Sequence, residues 1–157
     1  MRTKKITYSY NSKKSSNYII SSNNDFIELS NLEINSKDRI FLFIDKNVNK
    51  IWGKTLFKQL ENNNKEIISY DLPPKESTKS FNFIKKIIFF LSDSNCGRND
   101  LILACGGGTI LDLCGFVSSI YMRGLTFFAI PTTLIGQVDV LTAGKTCLNF
   151  KNTKNLL

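Results

Sequence analysis

From residue 39 onward the chain alternates between two hydrophobic periods, and this alternation restricts the fold more than any other feature. Ile40-Phe41-Leu42-Phe43-Ile44 is an unbroken apolar run ending in Asp45, the pattern of a strand buried on both faces. Residues 48–60 then carry Ile51, Trp52, Leu56 and Leu60 at helical spacing. Residues 66–70 predict a second strand, closed by the breaker pair Pro73-Pro74. A helix is expected over 77–91, with Phe81, Ile84, Ile87 and Ile88 toward the core. A third strand follows at 101–104, a helix at 109–121 and a fourth strand at 126–130, after which Pro131-Thr132-Thr133 opens another turn. Strands alternating with helices at this spacing predict an α/β fold, an open, mainly parallel sheet flanked by helices. The more polar residues 1–37 offer β-like pieces at 6–10 and 17–21 and a short helix after Asp25. With neither repeat nor linker visible, residues 1–157 read as one domain.

Composition narrows the chemistry. The 157 residues include no histidine, which excludes Ser-His-Asp and Cys-His nucleophilic systems within the chain and any imidazole-ligated zinc. Chemistry here must use Asp, Glu, Lys, Arg, Cys, backbone amides or a bound cofactor, or be completed elsewhere. The net charge of +8 comes from 21 Lys+Arg against 13 Asp+Glu. Only Arg2, Arg39, Arg98 and Arg123 are arginine, and the lysines spread along the whole chain. Phosphate-binding stripes are more local and richer in arginine, so no nucleic acid partner is expected. Cys96, Cys105, Cys114 and Cys147 form no C-x-x-C pair, which suggests buried thiols in a reducing compartment. The basic start lacks an apolar signal region, and no apolar run nears the ~20 residues that span a bilayer. A cytoplasmic protein with no membrane association is therefore expected.

In an open parallel sheet, ligands bind at the carboxyl ends of the strands. Those ends carry Asp45 and Asn47, Glu76 and Lys79, Gly106-Gly107-Gly108, and Pro131-Thr132-Thr133. A carboxylate after an early strand suits ribose hydroxyls, and glycines entering a helix let backbone N–H groups approach a pyrophosphate. Taken alone, three glycines equally fit a tight turn, Asp45 a helix N-cap, and Asp112 the favoured first turn of its helix. Arg123 equally fits a surface ion pair, and Lys151 with Lys154 a solvated basic segment.

Residues 106–155 resemble the NAD-binding half of 3-dehydroquinate synthase and its sugar-phosphate cyclase relatives. The resemblance runs through Gly106-Gly107-Gly108 with Asp112, Gly115-Phe116, Tyr121-Met122-Arg123-Gly124 and Pro131-Thr132-Thr133. It continues through Gln137-Val138-Asp139, Gly144-Lys145-Thr146 and Lys154-Asn155. Upstream, Asp45-x-Asn47 and Glu76-x-x-Lys79-Ser80 fall where that family has its adenosine-side contacts. The resemblance implies a Rossmann-like fold, NAD as cofactor, and a phosphate-eliminating cyclisation of a seven-carbon sugar acid phosphate in the shikimate pathway of aromatic amino acid biosynthesis. It implies that Asp45, Asn47, Glu76 and Lys79 hold the adenosine side and that Gly107, Gly108, Thr132 and Thr133 face the pyrophosphate. Asp112 would sit at the nicotinamide. Asp139, Lys145 and Asn155 would contact substrate, with Lys145 and Lys154 also serving the cofactor. Arg123 would reach the neighbouring subunit's phosphate site, implying a homodimer.

Three departures accompany the resemblance. Leu111 stands where the family has glycine before Asp112. Val140, Leu141 and Ala143 replace small residues around Asp139 and Gly144. The family's zinc ligands, one Glu and two His, belong to a C-terminal helical domain beyond the resemblance, so the chain is expected to be truncated and by itself inactive. A diverged cyclase of other specificity and a non-catalytic nucleotide-binding module are the alternatives.

Overall fold

The computed structural model describes residues 4–9, 15–20, 36–61, 64–140, 145–151 and 153–157, the first two segments by their backbone. The chain divides into two compact units, Met1–Leu32 and Glu33–Leu157. In the first, β1 (Lys4–Ser9) and β2 (Ser15–Ile20) pair antiparallel, Lys4 opposite Ile20 and Ser9 opposite Ser15. Both strands begin two residues earlier than the sequence suggests, because the ladder centres on Ile6 and Tyr18. The short helix expected after Asp25 lies outside the described residues.

The second unit is the predicted α/β layer structure. Its elements are β3 (Arg39–Asp45), α1 (Lys46–Glu61), β4 (Glu66–Leu72), α2 (Phe81–Asp93), β5 (Leu101–Gly106), α3 (Gly108–Ile120) and β6 (Thr126–Pro131). The four strands are all parallel, in the order β4-β3-β5-β6. The central strands β3 and β5 are buried along almost their whole length, whereas β4 and β6 at the edges are largely half-exposed. This is why the unbroken apolar runs fall on β3 and β5.

Alternation along the strands sends Phe41, Phe43, Ile102 and Ala104 to one face, where they form a core with Ile84, Ile87 and Leu91 of α2 and Ile110, Leu113 and Val117 of α3. Ile40, Leu42, Ile44, Leu101 and Leu103 point the other way and are equally buried. The expected face of α1 needs correction. Its buried stripe is Gly53, Leu56 and Leu60, spaced three and four residues apart, while Ile51 and Trp52 are 72% and 46% exposed. Phe81 is corrected too. Helix α2 begins at Phe81 rather than at 77, because Glu76–Thr78 forms a separate 3₁₀ turn. That turn leaves Phe81 half-exposed, edge-on to Phe150 with ring centroids 6.0 Å apart.

At the amino end of the sheet, Arg39 ties β3 to the α2–β5 connection. Its guanidinium donates to Asp100 Oδ1 at 3.2 Å and Oδ2 at 2.8 Å, and to the carbonyls of Ser94 and Asn95 at 3.1 and 2.6 Å. Asp100, buried, also accepts the Gly97 N–H at 2.7 Å. Removing the cation strands a buried carboxylate. Arg39→Ala is expected to cost about 2–3 kcal/mol in urea denaturation, and a cost below about 0.5 kcal/mol would mean that the clamp contributes nothing.

Candidate functional site

Strand order reverses between β3 and β5: the chain leaves β3 toward β4, then crosses back to β5 on the other side. The carboxyl ends of β3 and β5 therefore border the crevice where open α/β sheets take ligands. Asp45 and Gly106 meet there. A Cβ on Gly106 would lie 3.2 Å from Asp45 Cβ and 2.9 Å from the Ile110 side chain, so only glycine fits. One on Gly107 would lie 3.2 Å from Thr133 Cγ2, and one on Gly108 3.2 Å from Val140 Cγ2. The Thr132 N–H donates to the Gly106 carbonyl at 2.9 Å, seating the turn after β6 against the glycine run. The N-cap residue of α3 is Gly107, which has no side chain to cap it, and the first turn holds no acidic residue, so among the described residues the positive end of the helix has no carboxylate of its own. Asp45 also caps α1, its Oδ1 accepting the N–H groups of Asn47 at 2.7 Å and Val48 at 3.3 Å.

One turn into α3, Asp112 meets Lys79. Both are buried, and Lys79 Nζ donates to Asp112 Oδ2 at 2.7 Å. The same ammonium reaches Asn155 Oδ1 at 2.6 Å and Cys147 Sγ at 3.2 Å. Its three protons thus have three acceptors. Burial works against the charge, but the hydrogen bonds to Asp112 and Cys147 outweigh it and hold Lys79 above the ordinary lysine pKa. Burial and Asp112 push the Cys147 thiol up as well, so it remains a thiol, 3.2 Å from both Asp112 Oδ2 and Asn155 Oδ1.

Glu76, exposed in the turn before Lys79, accepts Asn149 Nδ2 at 2.8 Å on Oε1 and Thr109 Oγ1 at 3.2 Å on Oε2. The Asn149 amide draws its pKa below the usual carboxylate value; burial opposes this, and Lys79, Thr109 and Lys154 add to the lowering. The signs of the two shifts complement each other. Stabilisation from Glu76 is present above the ordinary carboxylate pKa and fades as acid passes its lowered value. That from Lys79 is complete below the ordinary lysine pKa and fades as alkali passes its raised value.

The described part of residues 145–157 supplies Cys147, Asn149, Lys154 and Asn155 from a tight double-back. Leu148, fully buried, exchanges backbone hydrogen bonds with Leu156 and Leu157 at 2.7–3.3 Å, and Phe150 pairs with Thr153 at 3.0 Å. Among the candidates read from sequence, Lys79, Asp112 and Asn155 thus join in one cluster with Glu76 beside it, and Asp45 abuts the glycine run near Thr132 and Thr133. Asn47, Asp139, Lys145 and Lys154 are exposed. Arg123 is exposed in the turn beyond the far end of α3, about 20 Å from Gly107 for a 13-residue helix. Leu141 and Ala143 lie outside the described residues. Sequence reasoning missed Asn149, Cys147 and Thr109, although an asparagine between Lys145 and Lys154 is the residue type that bridges loop backbones.

All four cysteines are free, and burial raises Cys96 and Cys105 to about 12. Among the described residues no three of Cys, Asp and Glu stand close enough to hold a metal ion, and no helix is long and apolar enough to cross a membrane. A zinc ion therefore does not fit these residues.

Comparison with known proteins accords with this arrangement. The chain is 41% identical over 133 residues to 3-dehydroquinate synthase of Clostridium botulinum (strain Alaska E43 / Type E3), covering 83% of this chain and 38% of that protein. To the enzyme of that name from Lactococcus lactis subsp. cremoris (strain SK11) it is 40% identical over 121 residues, 77% of this chain and 34% of the relative. The chain thus spans little more than a third of the length of these relatives. Among solved structures, a 2-epi-5-epi-valiolone synthase from Streptomyces hygroscopicus subsp. jinggangensis 5008, with NAD+ and Zn2+ bound, superposes with a TM-score of 0.69 at 30% identity. That match covers 78% of this chain and 34% of the other. A 2-deoxy-scyllo-inosose synthase complexed with carbaglucose-6-phosphate, NAD+ and Co2+ shares the fold, with a TM-score of 0.82 at 18% identity over 99% of this chain and 42% of that one. The family model described as 3-dehydroquinate synthase N-terminal matches residues 69–157, and with the relatives at about 40% identity it means that the chain belongs to the 3-dehydroquinate synthase family.

Proposed function

We propose that residues 1–157 act as the N-terminal NAD-binding domain of a 3-dehydroquinate synthase, a carbon–oxygen lyase that cyclises a seven-carbon sugar acid phosphate with loss of phosphate and no net redox change. The observation that carries this reading is the junction of β3 and β5, where Asp45 abuts Gly106, which has no room for a side chain, and the glycine run leads straight into the start of α3.

In this reading Asp45 and Asn47 receive the adenosine ribose and Glu76 the same side of the cofactor, whereas the Lys79 ammonium, expected there from the sequence, stands with the Asp112 carboxylate to which it is bonded. Gly107, Gly108, Thr132 and Thr133 line the pyrophosphate, and Asp112 stands at the nicotinamide. Bound there, NAD supplies a hydride acceptor that returns what it takes, which leaves the overall reaction redox-neutral. The chain's own residues do the rest of the positioning. Lys79 Nζ, remaining charged, pairs with Asp112, so the buried carboxylate is matched in charge and does not face an anionic ligand alone. Lys145, Lys154 and Asn155 offer ammonium and amide donors suited to a carboxylate and a phosphate, and Asp139 an acceptor for substrate hydroxyls. Arg123, displaced along α3, serves the site of a second copy in a homodimer. Metal ligands would come from outside these residues, so the 157 residues alone bind cofactor without turnover. The free thiols accord with a cytoplasmic setting.

One observation favours a second reading, a diverged sugar-phosphate cyclase. Val140 packs against Gly108, and buried Leu111 fills space beside Gly136, where a Cβ would lie 3.5 Å from Leu111 Cδ1. Fusing this chain to the remaining part of the Clostridium relative and assaying dehydroquinate formation separates the two. Turnover comparable to that relative's own supports the first reading; turnover of another sugar phosphate in its place supports the second.

Calorimetric titration tests the cofactor role directly. Saturable NAD binding is expected, and its absence at millimolar NAD overturns the proposal. Asp45→Asn keeps a good N-cap, so the denaturation midpoint should stay within about 0.5 kcal/mol while NAD affinity falls roughly ten-fold for the lost charged acceptor. Affinity should be level across neutral pH, declining in acid only below the ordinary carboxylate pKa, as Glu76 takes a proton, and in alkali only above the ordinary lysine pKa, as Lys79 loses one.

A further inference from the structure

One side chain joins the two groups of candidate residues. Asn149 Nδ2 donates to Glu76 Oε1 at 2.8 Å and to the Glu76 carbonyl at 3.3 Å, while Asn149 Oδ1 accepts the Asn155 N–H at 2.9 Å. Its own backbone N–H donates to the Lys79 carbonyl at 3.1 Å. A single residue thus holds the turn that carries Glu76 and Lys79, and the doubled-back segment that carries Lys154 and Asn155. An open cleft of about 430 Å³, lined in part by Glu76, Lys79, Ser80, Phe81, Asn149 and Lys151, lies beside this junction.

The doubled-back segment has backbone bonds of its own, between Leu148 and Leu156–Leu157 and between Phe150 and Thr153, and it is anchored by buried Leu148. It closes through left-handed backbone at Lys151 (φ 53°) and Asn155 (φ 54°), and asparagine tolerates that conformation better than most residues. Much of its shape therefore comes from bonds other than the one the Asn149 side chain accepts from the Asn155 N–H. Across to the Glu76 turn the side chain adds the bonds to Glu76 itself, beside the Asn149 N–H to the Lys79 carbonyl and the Lys79 ammonium to Asn155 and Cys147. A bond to a carboxylate is a strong one.

On the reading of this site as a cofactor site, we infer that Asn149 is a positioning residue that orients the Glu76 carboxylate and locks the Asn155 segment to it. The groups facing Glu76 are Lys79 from its own turn, Thr109 from α3, and Asn149 and Lys154 from the doubled-back segment. Thr109 bonds the other carboxylate oxygen, and the two lysines act through charge alone, so Asn149 is the donor that sets Oε1.

Asn149→Asp tests this at constant size. It keeps an acceptor for the Asn155 N–H, loses the donor to Glu76, and sets carboxylate against carboxylate. NAD affinity at about pH 7.5 should fall roughly ten-fold. It should recover toward about pH 5.5, where the two groups share a proton, a gain the wild-type chain does not show. The double variant Glu76→Gln with Asn149→Asp reverses the bond, since the introduced amide then donates to the introduced carboxylate. It should bind NAD within about three-fold of Glu76→Gln alone. Affinity of Asn149→Asp within about two-fold of wild type, a loss independent of pH, or a double variant no better than additive overturns the inference. Should the wild-type chain bind no NAD, the cofactor reading fails by itself, and carbon-detected titration of the Glu76 carboxyl then decides the role of Asn149. A midpoint raised by about one unit or more in Asn149→Asp sustains it, and an unmoved midpoint overturns it.

Discussion

The buried ion pair between Lys79 and Asp112 is the contact on which the rest of the site depends. Charges taken out of water are tolerable only when each is matched in charge and hydrogen bonding, and here the matching draws on three parts of the chain. Asp112 comes from α3, Lys79 from the short extended stretch between a 3₁₀ turn and α2, and Asn155 and Cys147 from the segment after residue 145. Displacing any of them leaves a charge or an amide without its partner in the interior. The pair thus fixes where α3 begins relative to the glycine run, and where the Glu76 turn lies relative to both.

Much of this was legible in the residues. The unbroken apolar runs located β3 and β5, and the breakers bounded the helices, because strands buried on both faces have no freedom in composition. The Asp45 alternatives turned out to be compatible: the carboxylate does cap α1, and it stands at the strand end where ribose hydroxyls are expected. Less legible was which face each helix buries. Ile51 and Trp52 look like core residues, but α1 packs through Gly53, and a glycine carries no hydrophobic signal. Phe81 misled for the opposite reason, since its helix starts later than the periodicity suggests.

The segment after residue 145 was the least legible part. It has no helical or strand period, and what organises it is a few backbone bonds of its own, one buried leucine and the hydrogen bonds around Asn149. The bonds from Asn149 to Glu76 join residues 73 positions apart, and no local window of sequence contains both ends. Leu111, which departs from the resemblance, is buried beside Gly136, a neighbour 25 positions away that no local window shows.

Because Lys79 and Asn155 are 76 positions apart, the hydrogen bonding of the buried ammonium is completed well after Lys79 itself has been made. A nascent chain with residue 150 still in the ribosomal tunnel already exposes β3, α1, β4 and α2, whose contacts are local enough to form early. Lys79 at that stage has neither Asn155 nor the docked Cys147 to receive its protons. The sheet can therefore be assembled while its binding edge is still open, and residues 147–155 close a site whose walls are already standing.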